Sequence, residues 1–145
     1  MATRSKLISQ AVHRALITPQ SLSGSSETFG SVIDTIGYDS LSLSVLVGTL
    51  SGSGTHSIVV KVYENSANST SGGTDVTAYI VDMPTADANP IVNAVAYWRA
   101  YLSMSGRKRY IYVSLTPTFG GSETAALVAG AVELGDIQTS EPVTA

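Results

Sequence analysis

"GYDSLSLSVLVGTL", residues 37–50, decides the fold class. Leu41, Leu43, Val45 and Val47 alternate with Ser42, Ser44 and Leu46, which is the period-2 signature of a strand with one face on a core. The opposite face is uncharged and small, with Leu46 as its one large apolar group. Serine is cheaper to desolvate than a charge, so such a face can lie flat against another protein.

Similar alternations continue outward from this strand. "TFGSVID" (28–34) leads into it, and the glycine-rich loop "GTLSGSGT" after it predicts a tight reversal and a hairpin with "HSIVVKVYE" (56–64). "NSANSTSGGTD" reads as a mobile polar surface loop, "VTAYIVDM" (76–83) as another strand, and "PTADANP" closes it with two prolines that cannot donate to a ladder. "IVNAVAYWRAYLSMSGRKRYIYVSLTPTF" predicts a long hairpin: Tyr97, Arg99 and Tyr101 alternate with Trp98, Ala100 and Leu102 before a Ser-Gly turn, and Tyr110, Tyr112 and Ser114 alternate with Ile111, Val113 and Leu115 after it. Alanines make helix the competing reading there, and aromatic richness favours strand. "TAALVAGAVEL" (124–134) reads as a final strand.

The pattern as a whole predicts an all-β chain: an antiparallel β-sandwich or jelly-roll-like domain of about seven or eight strands over residues 25–135. Residues 1–24 differ. Leu7, Ile8, Ala11, Val12, Ala15 and Leu16 are spaced near a helical period, and Pro19 with "SLSGSS" detaches them as an N-terminal arm; residues 136–145 read as a C-terminal tail.

Composition narrows the function. The 145 residues are 43% hydrophobic and 13% charged, about half the usual charged share, with a net charge of -3 and a pI near 5.2. Nucleic acid is not expected as a partner, since binding phosphates takes clustered Lys and Arg. The chain has no cysteine, which excludes disulfides, thiolate metal sites and a cysteine nucleophile. No apolar run approaches the ~18 residues of a membrane helix, and Gln10, His13 and Arg14 interrupt the segment after Arg4 and Lys6 that could have been an export signal. No membrane partner is expected.

Catalytic constellations are equally sparse. His13 and His56 have neither metal spacing nor a triad context, and no G-x-S-x-G elbow or phosphate-cradling glycine motif occurs. Asp34, Asp39, Asp82 and Asp87 read as turn and strand-end residues. Calcium in "ENSANSTSGGTD" would have Glu64, Asn65, Asn68 and Asp75 as ligands, only two of them charged. No cofactor and no enzymatic activity are expected. One concentrated charge remains, "RKR": Arg107, Lys108 and Arg109 at a turn tip, either a solvated tip that discourages edge pairing or a basic knob for an acidic partner.

The pattern "TIGYDSLSLSVLVGTL...VVKVYENSANS", followed by "KRYIYVSLTPTFGGSETAALVAGAVELG", resembles the capsid decoration, or cement, proteins of tailed bacteriophages over most of residues 33–135. The loop where such proteins often carry an acidic "ESDDG" reads "ENSANSTSGG" here. The resemblance implies a virion protein made in the host cytoplasm that binds the outer surface of the head and bridges major capsid protein subunits. It implies self-association as a homotrimer, with a dimer as the alternative. Capsid-contact candidates are Arg4, Lys6, Leu7, Ile8, His13 and Arg14 in the arm and Arg107, Lys108 and Arg109 in the turn. The rival readings are a low-copy neck, tail or head-fibre protein, and a sugar-binding sandwich with Trp98, Tyr97, Tyr101, Tyr110 and Tyr112 as a stacking platform.

Overall fold

The computed structural model describes residues 12–48, 56–82, 91–92, 96–120 and 125–137, so Arg4, Lys6, Leu7 and Ile8 lie outside the described residues. In chain order the strands are β1 (Val12–Ser23), the two-residue β2 (Thr28–Phe29) and β3 (Ile33–Asp34), then β4 (Tyr38–Val47) and β5 (Ser57–Asn65). The short β6 (Thr74–Asp75), β7 (Val81–Asp82) and β8 (Ile91–Val92) follow, and then β9 (Ala96–Ser103), β10 (Tyr110–Thr118) and β11 (Ala125–Ile137). One sheet has the order β1-β11-β4-β9-β7 and the other β2-β10-β5-β6, with β3 beside β10 and β8 beside β5. The pairings are antiparallel and the molecule is a β-sandwich.

The core forms where the two inner faces meet. Leu41, Leu43, Val45 and Val47 from β4, Trp98, Ala100 and Leu102 from β9, and Val132 and Leu134 from β11 face Ile58, Val60 and Val62 of β5 and Ile111, Val113 and Leu115 of β10. Each large side chain buried in this way contributes about 1.5–3 kcal/mol of transfer free energy. Helix loses to strand over 96–103 and 125–137 because alternate residues of each segment meet this core.

Both expected hairpins are corrected. β4 and β5 belong to different sheets, as do β9 and β10, so each connection arches over the core. β4 instead pairs β9 and β11, for example Ser42 opposite Tyr101 and Glu133, and β5 pairs β10, with Val62 opposite Val113. Crossing over sets two apolar faces against each other, whereas a hairpin would have left both facing the same way.

The N-terminal reading also changes. From Val12 onward the chain is strand, not helix or free arm, and β1 pairs along β11 from Val12 opposite Leu134 to Ser23 opposite Ala125. Register irregularities between Ala15 and Ile17 and again before Gln20 let the adjacent Leu16 and Ile17 both face inward. Ile17 fills the space over Gly130, where a Cβ would come within 3.2 Å of Ile17. At the other terminus β11 runs through Ile137, two residues past the expected domain end.

Residues 24–34 stitch the two sheets together. Gly30 N–H donates to Val113 O and Ser31 N–H to Leu16 O, both at 2.8 Å, and a Cβ on Gly30 would collide with Leu16 O. The same segment covers the outer face of β10: Ser114 Oγ donates to Glu27 Oε1 at 2.6 Å, and Phe29 stands edge-on to Tyr63 and Tyr112, which stack at 5.3 Å. Tyr112 and Ser114 are therefore buried although they point away from the core. The expected strand at 76–83 shortens to Val81–Asp82 in the described residues, because Thr77–Tyr79 forms a 3-10 turn. Asp75 Oδ1 accepts from the Thr77 N–H and hydroxyl, and Thr77 Oγ1 accepts the Val62 N–H.

Candidate functional site: the outer face of the β1-β11-β4-β9-β7 sheet

The face opposite the core in "LSLSVLV" becomes the middle of a wide sheet surface. Strand order and register give its rows. Across β11, β4 and β9, Ala129 lies beside Leu46 and Leu46 beside Tyr97; Ala131 beside Ser44 and Ser44 beside Arg99; Glu133 beside Ser42 and Ser42 beside Tyr101. β7 adds Val81 next to Tyr101, and β1 adds Ala15 next to Ala131 and His13 next to Glu133. Leu46 and Leu127 are 58% and 70% exposed. Shallow hollows lie over β11, lined by Ala15, Pro19, Ala129 and Ala131 with Leu46, and by Leu127 with Gly48. The small side chains of β11 create them, since alanine and glycine leave the sheet surface low between β1 and β4.

The exposed side chains of this surface are mostly apolar, aromatic or small and uncharged. Among the described residues no group of three or more His, Cys, Asp or Glu could hold a metal, and no helix is long and apolar enough to cross a membrane. The loop considered for calcium uses its oxygens on its own structure. Asn65 donates to Ser69 O and Ser71 O and accepts the Ala67 N–H, Glu64 Oε2 accepts the Lys108 N–H, and Asp75 caps Thr77. Tyr112 OH ties the loop to the sheet through Thr70 O at 2.9 Å. His56 is buried, its Nδ1 accepting the Gly120 N–H at 3.4 Å, and its Nε2 has no partner among the described residues.

The sequence candidates distribute as follows. His13 and Arg14 are exposed on β1, at the margin of the described face. Arg107, Lys108 and Arg109 form the turn between β9 and β10, but two of the three charges are answered within the chain. Arg109 makes a two-pronged bond to Asp34, with Nε to Oδ1 at 2.8 Å and an Nη to Oδ2 at 2.7 Å, and holds that carboxyl down at about 2. Arg107 lies over the Tyr79 ring at 4.2 Å with Glu64 at 3.8 Å, and Lys108 Nζ donates to Thr74 Oγ1. The proposed aromatic platform does not assemble: Trp98 and Tyr112 are buried on opposite sheets, Tyr97 and Tyr101 stand on β9, and Tyr110 carries Arg109 at 5.1 Å from its ring centre. Sequence reasoning found the β4 part of this face and missed that β1 and β11 complete it. The alternation Leu127, Ala129, Ala131 was its visible signal.

No family model matches this chain, and no curated protein sequence matches it. Solved structures do. The chain superposes on the infectious bursal disease virus Gx strain structure with a TM-score of 0.56 at 12% identity, over 92% of this chain and 34% of that one. The VP2 subviral particle of infectious bursal disease virus gives a TM-score of 0.54 at 10% identity, again over 92% and 34% of the two chains. An SPBc2 prophage-derived protein, YomS, gives 0.48 at 13% identity, over 86% of this chain and 93% of that one. What the first two likenesses show is the fold: this β-sandwich is also found within a virus particle protein about three times as long.

Proposed function

We propose that this chain is a structural protein of a virion, and more specifically a subunit that binds the outer surface of a phage head and reinforces it by bridging major capsid protein subunits. The observation that carries this reading is the wide, nearly uncharged outer face around Leu46, a surface suited to burial against protein. A fold shared with a virus particle protein supports it, as does the resemblance of residues 33–135 to decoration proteins. The chemistry is assembly, without a catalytic step. Many modest contacts repeated over a symmetric shell add up to firm attachment.

In this reading Arg4, Lys6, Leu7 and Ile8, with His13 and Arg14, make the shell contact, and Arg107, Lys108 and Arg109 are a secondary one. The turn contributes less than its three charges suggest, because Asp34 and Glu64 already neutralise two of them. Co-sedimentation of the purified chain with heads lacking it tests the proposal. The full chain is expected to pellet with heads, and a variant lacking residues 1–11 to stay in solution. That deletion stops short of β1, and a thermal melt checks that the shortened chain folds. Failure of the full chain to bind heads contradicts the function; equal binding by the truncated chain contradicts the assignment of the contact.

A further inference from the structure

We propose that the outer face of the β1-β11-β4-β9-β7 sheet is covered by a second copy of this chain, related by a two-fold axis that lies in the plane of the interface and crosses β4 obliquely between Ser42 and Ser44. This rests on the assembly reading above and names the occupant of its docking face; with the face and its β1 margin buried between copies, the shell contact falls to the segment before β1 and to the 107–109 turn. Charge complementarity singles out this occupant. Inside its β1 margin, where His13 and Arg14 stand, this face carries one cation, Arg99, and one anion, Glu133, among the described residues.

The two charges stand on opposite sides of β4 and one row apart. Arg99 is beside Ser44, and Glu133 is beside Ser42. Their midpoint falls on β4 between the two serines, so an in-plane two-fold axis through it, perpendicular to the line that joins the two charges, brings Arg99 of each copy over Glu133 of the other. Two ion pairs form by one operation, which is the mark of an isologous interface. With strands about 4.8 Å apart and sheets about 10 Å apart, the long side chains of Arg and Glu span the gap while serines occupy the closest approach. The same rotation carries Leu46 across β11 toward Ala15, beside the hollow that Ala129 and Ala131 leave. A large apolar group then meets small ones. Any other protein could cover an apolar face; the diagonal pair of opposite charges is what makes this one complementary to itself. The resulting dimer replaces the trimer expected from sequence.

Sedimentation equilibrium on the full chain tests this, with thermal melts to confirm that each variant folds. The wild type is expected to be a dimer. Arg99→Glu and Glu133→Arg should each weaken dimerisation at least about tenfold, since like charges then face each other twice, and the double variant should restore it. In a second measurement, Ser44→Cys in this cysteine-free chain should be joined into dimers by a short bismaleimide, and Thr116→Cys on the other sheet should not. A monomeric or trimeric wild type overturns the proposal. So does a double variant that stays as weak as the single ones, or a Thr116→Cys chain that cross-links as well as Ser44→Cys. Head binding with a monomeric wild type leaves the virion reading standing and removes this one; a dimer that ignores heads does the reverse.

Discussion

At the scale of single residues, two positions hold this sandwich together in ways that can be measured. Gly30 lies where segment 24–34 crosses between the sheets, and a methyl there meets the Leu16 carbonyl, a backbone atom with no room to move. Gly30→Ala is expected to cost about 1–3 kcal/mol, seen as a lower urea midpoint with an unchanged slope. Asp34 is the second. Its two-pronged bond from Arg109 lowers its pKa from 3.8 to about 2 in the folded chain. A carboxylate depressed in this way stabilises the fold fully above its unfolded pKa, and the contribution disappears as pH falls through the folded value. Between pH 4 and pH 2 the wild-type melting temperature should therefore fall more steeply than that of Asp34→Asn, which still can accept the Ile36 N–H. Added salt should narrow the difference, because the pair is partly exposed. Asp34 was legible as a strand-end residue, and it does accept the Ile36 N–H, but its bond to Arg109 was not legible, nor was the role of Gly30. Gly30 sits in an unremarkable "TFGSV", and the basic turn gave no hint that its partners, Asp34 and Glu64, come from distant segments.

At the scale of elements, alternation in sequence reports which face of a strand is buried, and it did so faithfully for Leu41 to Val47 and for Trp98, Ala100 and Leu102. It carries no information about the neighbour. β4 followed by a glycine-rich loop and β5 looks like a hairpin, yet the two strands lie in opposite sheets, because both must point their apolar faces at one core. The helical spacing at the N-terminus misled for a related reason: irregular register turns Leu16 and Ile17 inward together, and a regular strand would have separated them. The β4–β9 pairing gives a direct check. Ser42 and Tyr101 are opposite each other on the outer face, within the Cα separation a disulfide needs. Ser42→Cys with Tyr101→Cys should oxidise to an intrachain disulfide without loss of melting temperature. Persistence of two free thiols under oxidising conditions would mean that β4 does not lie beside β9.

At the scale of the whole molecule, the low charge and the abundance of Ser, Thr and Gly are the composition expected of a chain that packs against neighbours. The surface they serve was legible only in part. Ser42, Ser44 and Leu46 marked its middle, while Ala15, Pro19, Ala129 and Ala131 join it through a pairing between the two ends of the described chain. The central claim is that this face belongs to a subunit of a virion shell. Its most direct test is the number of copies of this chain per particle, measured by quantitative mass spectrometry of purified virions against the major head protein. A decoration subunit is expected in hundreds of copies, in fixed proportion to the head protein; a dozen copies or fewer, or none, would contradict the account.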